Sequence, residues 1–348
     1  MERCGLMSAA GAAAAVVFSA GAAAEPVGGF TDVTAQMGLT HQNLSDLGFQ
    51  AFDPELPDAK TWWQDPPYMA GAVAVGDVNG DGWDDLLFTR FQQEPRLYLN
   101  NAGAGFVDAS VASGLAAFPA LNGAAFGDID NDGDLDLYAT GFDTTRYFLF
   151  INDGAGVFTE DAQARGAAVE DAYLHRGWGV AMSDIDNDSY LDVITGEWLF
   201  FGQGPQATFN DRPTHARLLR NNAGGQPGMF DDVTASAGVG MSESDQTSFQ
   251  GYFRFHQRFW DMDGDMDQDI YVAGDFATET FYINNGDGTF TEGNCPTSGL
   301  CLSINAMGIA TGDVNGDLLP DMYVTSIDNE FEQTGIFNWD PHGNRLYI

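Results

Sequence analysis

The chain has 348 residues, with 51 acidic side chains against 13 basic ones and a formal net charge of −38. A surface of that sign makes nucleic acid and anionic membrane poor partners. Lys60 is the only lysine, and the composition fits a saline, calcium-containing surrounding.

Residues 1–24 read MERCGLMSAAGAAAAVVFSAGAAA. A short basic start, an apolar stretch and an A-x-A ending predict a secretory signal peptide cleaved after Ala24, which leaves 25–348 as the mature chain. An uncleaved membrane anchor is the competing reading, because Arg3 alone supplies the basic region. No later stretch approaches the roughly 18 apolar residues of a spanning helix, so the mature chain is expected to be exported and not membrane-spanning.

The segment GGFTDVTAQMGL, from Gly28, looks like the end of a repeat rather than its beginning. Complete repeats then follow. The first has an apolar run, GAVAVG, and then an acidic loop, DVNGDGWDD, that offers Asp77, Asn79, Asp81 and Asp85. A second apolar run, LLFT, leads to RLYLNNAGAGFVDASVASGL. The second repeat places Asp128, Asp130, Asp132 and Asp136 in DIDNDGDLD. The third places Asp184, Asp186, Asp188 and Asp192 in DIDNDSYLD. The fourth places Asp261, Asp263, Asp265 and Asp269 in DMDGDMDQD. The fifth places Asp313, Asn315, Asp317 and Asp321 in DVNGDLLPD, and the chain ends on NRLYI. The loops start 51 to 77 residues apart.

Oxygens at loop positions 1, 3, 5 and 9 suit a hard cation. Alternate residues of a tight turn converge, a backbone carbonyl near position 7 can join them, and the last carboxylate closes a cage of the size Ca²⁺ takes. The loop is not an EF-hand, since position 12 is never Glu and the flanks read as strands rather than helices. A charged surface turn that binds nothing would account for one copy far more readily than for five in register. Four or five bound Ca²⁺ are therefore expected, with loops one and two the best sites. Loop five is the weakest, because Leu318 replaces the glycine of position 6 and Pro320 occupies position 8. Each repeat reads as four short strands with Asn/Gly hairpin turns, and units of this period are blades of a β-propeller.

These motifs resemble the FG-GAP or VCBS-type repeats of integrin-α-like propellers. They are still more similar to the bacterial propellers grouped with the cartilage acidic protein and UnbV families. The resemblance implies an all-β propeller of four-stranded blades with Ca²⁺-binding hairpin loops, running from about Gly29 to Ile348. Five repeats are visible. Either residues 30–34 pair with residues 346–348 and close a five-bladed ring, or the chain is the front part of a larger propeller; such relatives often have seven blades. The fold does not fix the role, because such repeats serve adhesion, assembly and enzymes alike.

Cys295 and Cys301 lie close together in an exported chain, which favours a local disulfide over a zinc half-site that has no partner pair. No G-x-S-x-G, H-E-x-x-H, C-x-x-C or P-loop is present. The five histidines, His41, His175, His215, His256 and His342, are far apart in sequence but fall on loops or strand edges expected on one side of the propeller. Strand direction puts the acidic loops and tight turns on one face and the long connections on the other. That second face gathers Trp62, Trp63, Tyr68, His175, His215, Trp339 and His342 as candidate ligand contacts, since scaffolded loops carry function and aromatic side chains offer large contact area. Two function classes follow. One is a calcium-stapled binding or adhesion module for extracellular carbohydrate or protein. The other is a carbohydrate-active enzyme of the polysaccharide-lyase kind, with a scaffold segment of a larger secreted protein as a third reading.

Overall fold

A computed structural model describes residues 31–39, 71–90, 92–198, 214–222, 225–240, 253–275, 278–303, 305–317, 319–326 and 344–348. The predicted signal peptide, His41, Trp62, Trp63, Tyr68, Trp339 and His342 lie outside the described residues. No helix among the described residues is long and apolar enough to cross a membrane.

The chain forms the blades of a β-propeller. Blade one is β1 (Val73–Gly76), β2 (Asp85–Phe88), β3 (Arg96–Asn100) and β4 (Phe106–Asp108), antiparallel and in chain order. Blade two is β5 (Leu121–Gly127), β6 (Asp136–Thr144), β7 (Phe148–Asn152) and β8 (Phe158–Glu160). Blade three is β9 (His175–Ser183), β10 (Asp192–Glu197), β11 (Leu218–Asn221) and β12 (Phe230–Asp232). Blade four is β13 (Arg254–Trp260), β14 (Asp269–Gly274), β15 (Thr280–Asn284) and β16 (Phe290–Glu292). Blade five has three strands among the described residues: β17 (Ala306–Gly312), β18 (Asp321–Ser326) and β19 (Arg345–Tyr347).

The second strands of blades two, three and four are buried on both faces, which is why they read as unbroken apolar runs, whereas β2 and β18 keep alternate residues partly exposed. In β14, Ile270 and Val272 pack with Ile194, Leu218 and Ile185 of blade three. The alternate residues Tyr271 and Ala273 pack with Ile309, Met322 and Val324 of blade five. The same arrangement joins blade one to two through Leu87, Leu97, Leu137 and Phe150, and blade two to three through Tyr138, Leu149, Val193 and Leu219. The core is thus a row of interfaces between neighbouring blades rather than one central cluster.

Two features depart from regular blades. Strands β6 and β9 each run nine residues, longer than the short strands the sequence suggests. Their extra lengths pair across the blade boundary, Phe142 with Arg176 and Thr144 with His175, and fuse blades two and three into one sheet. Second, residues 31–39 form a turn, and the carbonyl of Met37 accepts the Phe106 amide at 2.7 Å. Ser113, Arg165 and Ala237 do the same for Phe158, Phe230 and Phe290 of the next blades. The first segment therefore docks on blade one as the tail of a repeat docks on the following blade. Among the described residues, β19 pairs only with β18, and no strand joins it to the chain's beginning.

Cys295 and Cys301 are disulfide-bonded, with Cα atoms 5.4 Å apart, around a short helix, α1 (Cys295–Ser298).

Candidate cation loops and a buried histidine pair

Each acidic loop joins the first two strands of a blade, and its geometry repeats. The carboxylate at position 1 accepts the backbone amides of positions 5 and 6. In loop two, Asp128 takes Asp132 at 3.1 Å and Gly133 at 3.0 Å; in loop three, Asp184 takes Asp188 at 3.0 Å and Ser189 at 2.7 Å. Position 5 accepts the amide of position 7, as Asp132 does from Asp134 at 3.0 Å. These bonds wind the turn tightly and require positive φ at position 6, which is 87° at Gly82, 98° at Gly133, 72° at Ser189 and 78° at Met266. Only glycine adopts that region without strain. Met266 is exposed, so its side chain brings little packing in return. Met266→Gly is expected to stabilise the chain by about 0.5–1 kcal/mol, read as a rise in denaturation midpoint. A drop in midpoint would show that the Met266 side chain is needed where it lies.

Position 9 does more than close the cage. Asp85, Asp136, Asp192, Asp269 and Asp321 are all buried at the start of the second strand. One carboxylate oxygen accepts the amide of position 2: Asp136 from Ile129 at 3.2 Å, Asp192 from Ile185 at 2.9 Å. In the first four blades the other oxygen accepts the amide of an asparagine ending the third strand: Asn100, Asn152, Asn221 and Asn284. That asparagine also reaches across the blade boundary. Asn152 donates from Nδ2 to the Val78 carbonyl at 2.8 Å, Asn221 to Ile129 at 2.6 Å and Asn284 to Ile185 at 2.8 Å. All three acceptors are position 2 of the preceding blade's acidic loop. Each tight turn therefore sits against the preceding loop; a Cβ added at Gly228 would lie 3.2 Å from Asp130 Cβ. Acidic loops and tight turns share one face, as strand direction predicts.

The loops fit a divalent cation on their own chemistry. One oxygen from each of Asp128, Asp130 and Asp136 lies within 4.8 Å of the others; the same holds for Asp184, Asp186 and Asp192, and for Asp261, Asp263 and Asp265. Asp130 Oδ1 and Asp186 Oδ1 are buried without a hydrogen-bond partner among the described residues. A bare carboxylate oxygen in such a place is costly unless a cation faces it. Burial, with neighbouring carboxylates adding to it, pushes Asp130 and Asp186 above the usual range; burial pushes Asp136 and Asp192 up to about 7 and Asp269 to about 6. The residues that would hold the ion are those at positions 1, 3, 5 and 9. In loops one and five, Asn79 and Asn315 stand at position 3, and each donates its amide to the Asp of position 5.

The opposite face holds a different cluster. His175 opens β9 and is fully buried. It stacks on His215, with ring centroids 3.6 Å apart and planes 17° from parallel. Asp171 meets both rings: Oδ2 lies 2.8 Å from His215 Nε2 and Oδ1 3.3 Å from His175 Nε2. Glu197, at the end of β10, lies with its two oxygens 2.9 Å and 3.1 Å from His215 Nδ1, and it accepts the amides of Arg176 and His215. Burial works to raise both carboxyls, but the hydrogen bonds they accept outweigh it and hold Asp171 and Glu197 below the usual carboxylate range. Burial, helped by the adjacent His215, pulls His175 down to about 4.

Of the seven predicted ligand-face residues, His175 and His215 are described, and they form one buried cluster rather than two exposed contacts. His256 is not with them; it lies within β13, half-buried, with Nδ1 2.7 Å from the Met307 carbonyl. Sequence reasoning missed Asp171 and Glu197. The signal for Glu197 was a carboxylate ending the apolar run VITG, where a solvated residue is out of place.

Four-stranded blades whose first two strands are joined by acidic hairpin loops define a repeat propeller. The FG-GAP-like repeat family profile matches residues 77–139 and 261–324. The chain carries FG-GAP-like repeats over those residues. It is 30% identical to integrin alpha-8 of Gallus gallus over 206 residues, 51% of this chain and 19% of the integrin. It is 32% identical to cartilage acidic protein 1 of Xenopus tropicalis over 105 residues, 30% of this chain and 15% of that one. The chain thus spans about a fifth or less of the length of these relatives. Among solved structures it is similar to an Agrocybe aegerita lectin that recognises non-reducing terminal N-acetylglucosamine. That likeness has 17% identity and a TM-score of 0.41 over 80% of this chain and 70% of that chain, too loose to bear on ligands.

Proposed function

We propose that the chain is an exported calcium-binding β-propeller that acts as a binding or adhesion module for an extracellular protein or carbohydrate. The observation that carries this reading is the joined row of acidic loops. Each loop is wound by its own carboxylates, and the first three are pinned by an asparagine of the next blade, so cations there would stiffen one rim and leave the other to partners. Ca²⁺ is the ion of choice because the donors are all oxygen and the carboxylates many; at millimolar external calcium even weak loops stay filled. The integrin and cartilage acidic protein relatives support adhesion and a protein partner, and the N-terminal 24 residues support export.

The test is capture of partners by calcium-loaded protein on a glycan array and from extracellular protein fractions. Replacing Trp62 and Trp63 together is expected to weaken capture at least tenfold while calcium binding is kept. Loss of capture on charge reversal near Asn101 and Asn285, with the tryptophan variant unaffected, would place the partner on the loop face instead. Calcium-dependent release of unsaturated sugar ends from acidic polysaccharides would replace the binding reading with a lyase.

A further inference from the structure

We propose that Asp171, His175 and His215 form a binding site for one first-row transition-metal dication, separate in place and in chemistry from the acidic loops. The site lies at the start of β9, while loop three follows the end of that strand. Nine residues of extended chain put roughly 25 Å between them.

The donor set is two imidazoles and one carboxylate, with one ligand atom from each inside 4.8 Å of the others. Donors that close reach a common ion once the two rings, stacked 17° from parallel, turn their Nε2 lone pairs toward it, at Zn–N and Zn–O distances of about 2.0–2.2 Å. Glu197 settles the tautomer of His215. A buried carboxylate against Nδ1 makes that nitrogen the proton donor. Nε2 then turns a lone pair toward Asp171 Oδ2 at 2.8 Å, and two lone pairs at that distance need a cation between them. Either a second proton or a metal ion meets the need.

Two observations favour the metal. His175 presents Nε2 to the other oxygen of the same carboxylate, so both rings converge on one group. His175 is also fully buried, so packing holds its ring against that carboxylate. A second proton on His215 serves that ring alone and leaves His175 to donate from Nε2 to Asp171 by itself, whereas one ion draws on both rings. Glu197 then plays the supporting part familiar at metal centres: it orients the ligating imidazole through its other nitrogen and raises its basicity. It is itself fixed by the amides of Arg176 and His215.

Imidazole ligands select against Ca²⁺ and suit Zn²⁺ and its neighbours. The Asp171 side chain is 32% exposed, which gives an ion a way in and leaves a coordination position to water or a ligand.

The experiment uses the full chain without a histidine tag, saturated with calcium, and titrates Zn²⁺ by calorimetry. One Zn²⁺ per chain is expected. Asp171→Asn should weaken it at least tenfold with calcium stoichiometry unchanged, and Glu197→Gln should weaken it about 10- to 100-fold. A second measurement needs no variant: nitrogen-15 NMR of the imidazoles should show two histidines shifting together on addition of one equivalent of Zn²⁺. Absence of a Zn²⁺ isotherm in the calcium-loaded wild type, equal affinity in a folded Asp171→Asn chain, or unshifted paired histidines would each overturn the site and leave a protonated His215 held between two carboxylates.

Discussion

Excess EGTA is expected to lower the melting temperature of the mature chain by about 15 °C or more. Each filled loop adds a binding free energy that the unfolded chain lacks, about 2.7 kcal/mol at a calcium concentration a hundredfold above its dissociation constant. Several loops at that value, with about 2 °C per kcal/mol for a chain of this size, give the shift. Without the ion the loops hold mutually repelling carboxylates, and the buried oxygens Asp130 Oδ1 and Asp186 Oδ1 have no hydrogen-bond partner among the described residues. Acidification should narrow the gap. A carboxyl raised above its unfolded value adds stability that is complete below about pH 4 and is lost as the pH rises through its folded value. Asp136 and Asp192, at about 7, and Asp269, at about 6, therefore make the EGTA-treated chain more stable between pH 7.5 and 5.5. His175, pulled down to about 4, works the other way between pH 6.5 and 4 and offsets part of this. Calcium needs the same three carboxyls charged, so its stabilising increment shrinks over that window. Thermal scans with and without EGTA at both ends of the range decide the matter. Equal melting temperatures with and without EGTA at pH 7.5 would remove the cation from the loops. An increment unchanged down to pH 5.5 would remove the position 9 carboxylates from its ligands. Among single changes, Asp128→Ala should cost more than Asp313→Ala, because loop two gathers three close carboxylates whereas loop five carries Asn315.

The loops were legible in the sequence because their ligands are local. A turn that folds five residues around one point writes its geometry as a spacing, and Asp128, Asp130 and Asp132 need no distant partner to be recognised. The strand pattern was legible for the same reason: Ile270 and Tyr271 face opposite neighbours in a run only a few residues long. What stayed hidden depends on contacts far apart in the chain. Asn152, Asn221 and Asn284 read as hairpin residues, which they are, but their amides bond to carbonyls 74, 92 and 99 residues away. The histidine cluster needs β9, β10 and the segments around Asp171 and His215 to meet before any two of its members are neighbours. The fused sheet of blades two and three was hidden because the extra length of β6 gains a partner only when β9 is beside it.

The asparagine at the blade boundary should be the most sensitive uncharged position among the described residues. Asn221 is buried, donating to the Ile129 carbonyl at 2.6 Å and to the Leu191 carbonyl at 3.2 Å while its Oδ1 accepts the Gly228 amide at 2.9 Å. Alanine keeps the backbone bond to Asp192 and removes those three. It leaves two carbonyls and one amide in a place too crowded to admit water easily, each at a cost of about 1–3 kcal/mol. Asn221→Ala is therefore expected to destabilise the chain by about 3–5 kcal/mol, at the high end for a single substitution. It should also weaken two cation loops at once, since Ile129 is position 2 of loop two and Leu191 is position 8 of loop three. Asn100 is the internal control. Among the described residues its side chain bonds only within blade one, to the Asp84 carbonyl at 3.1 Å and the Gly103 amide at 2.8 Å, and it is partly exposed. Asn100→Ala should cost about 1 kcal/mol and affect loop one alone. Denaturant melts and calcium titrations of the two variants separate the possibilities. If both lose the same stability, the asparagines serve their own hairpins, and the bond across the blade boundary contributes nothing to holding neighbouring loops together.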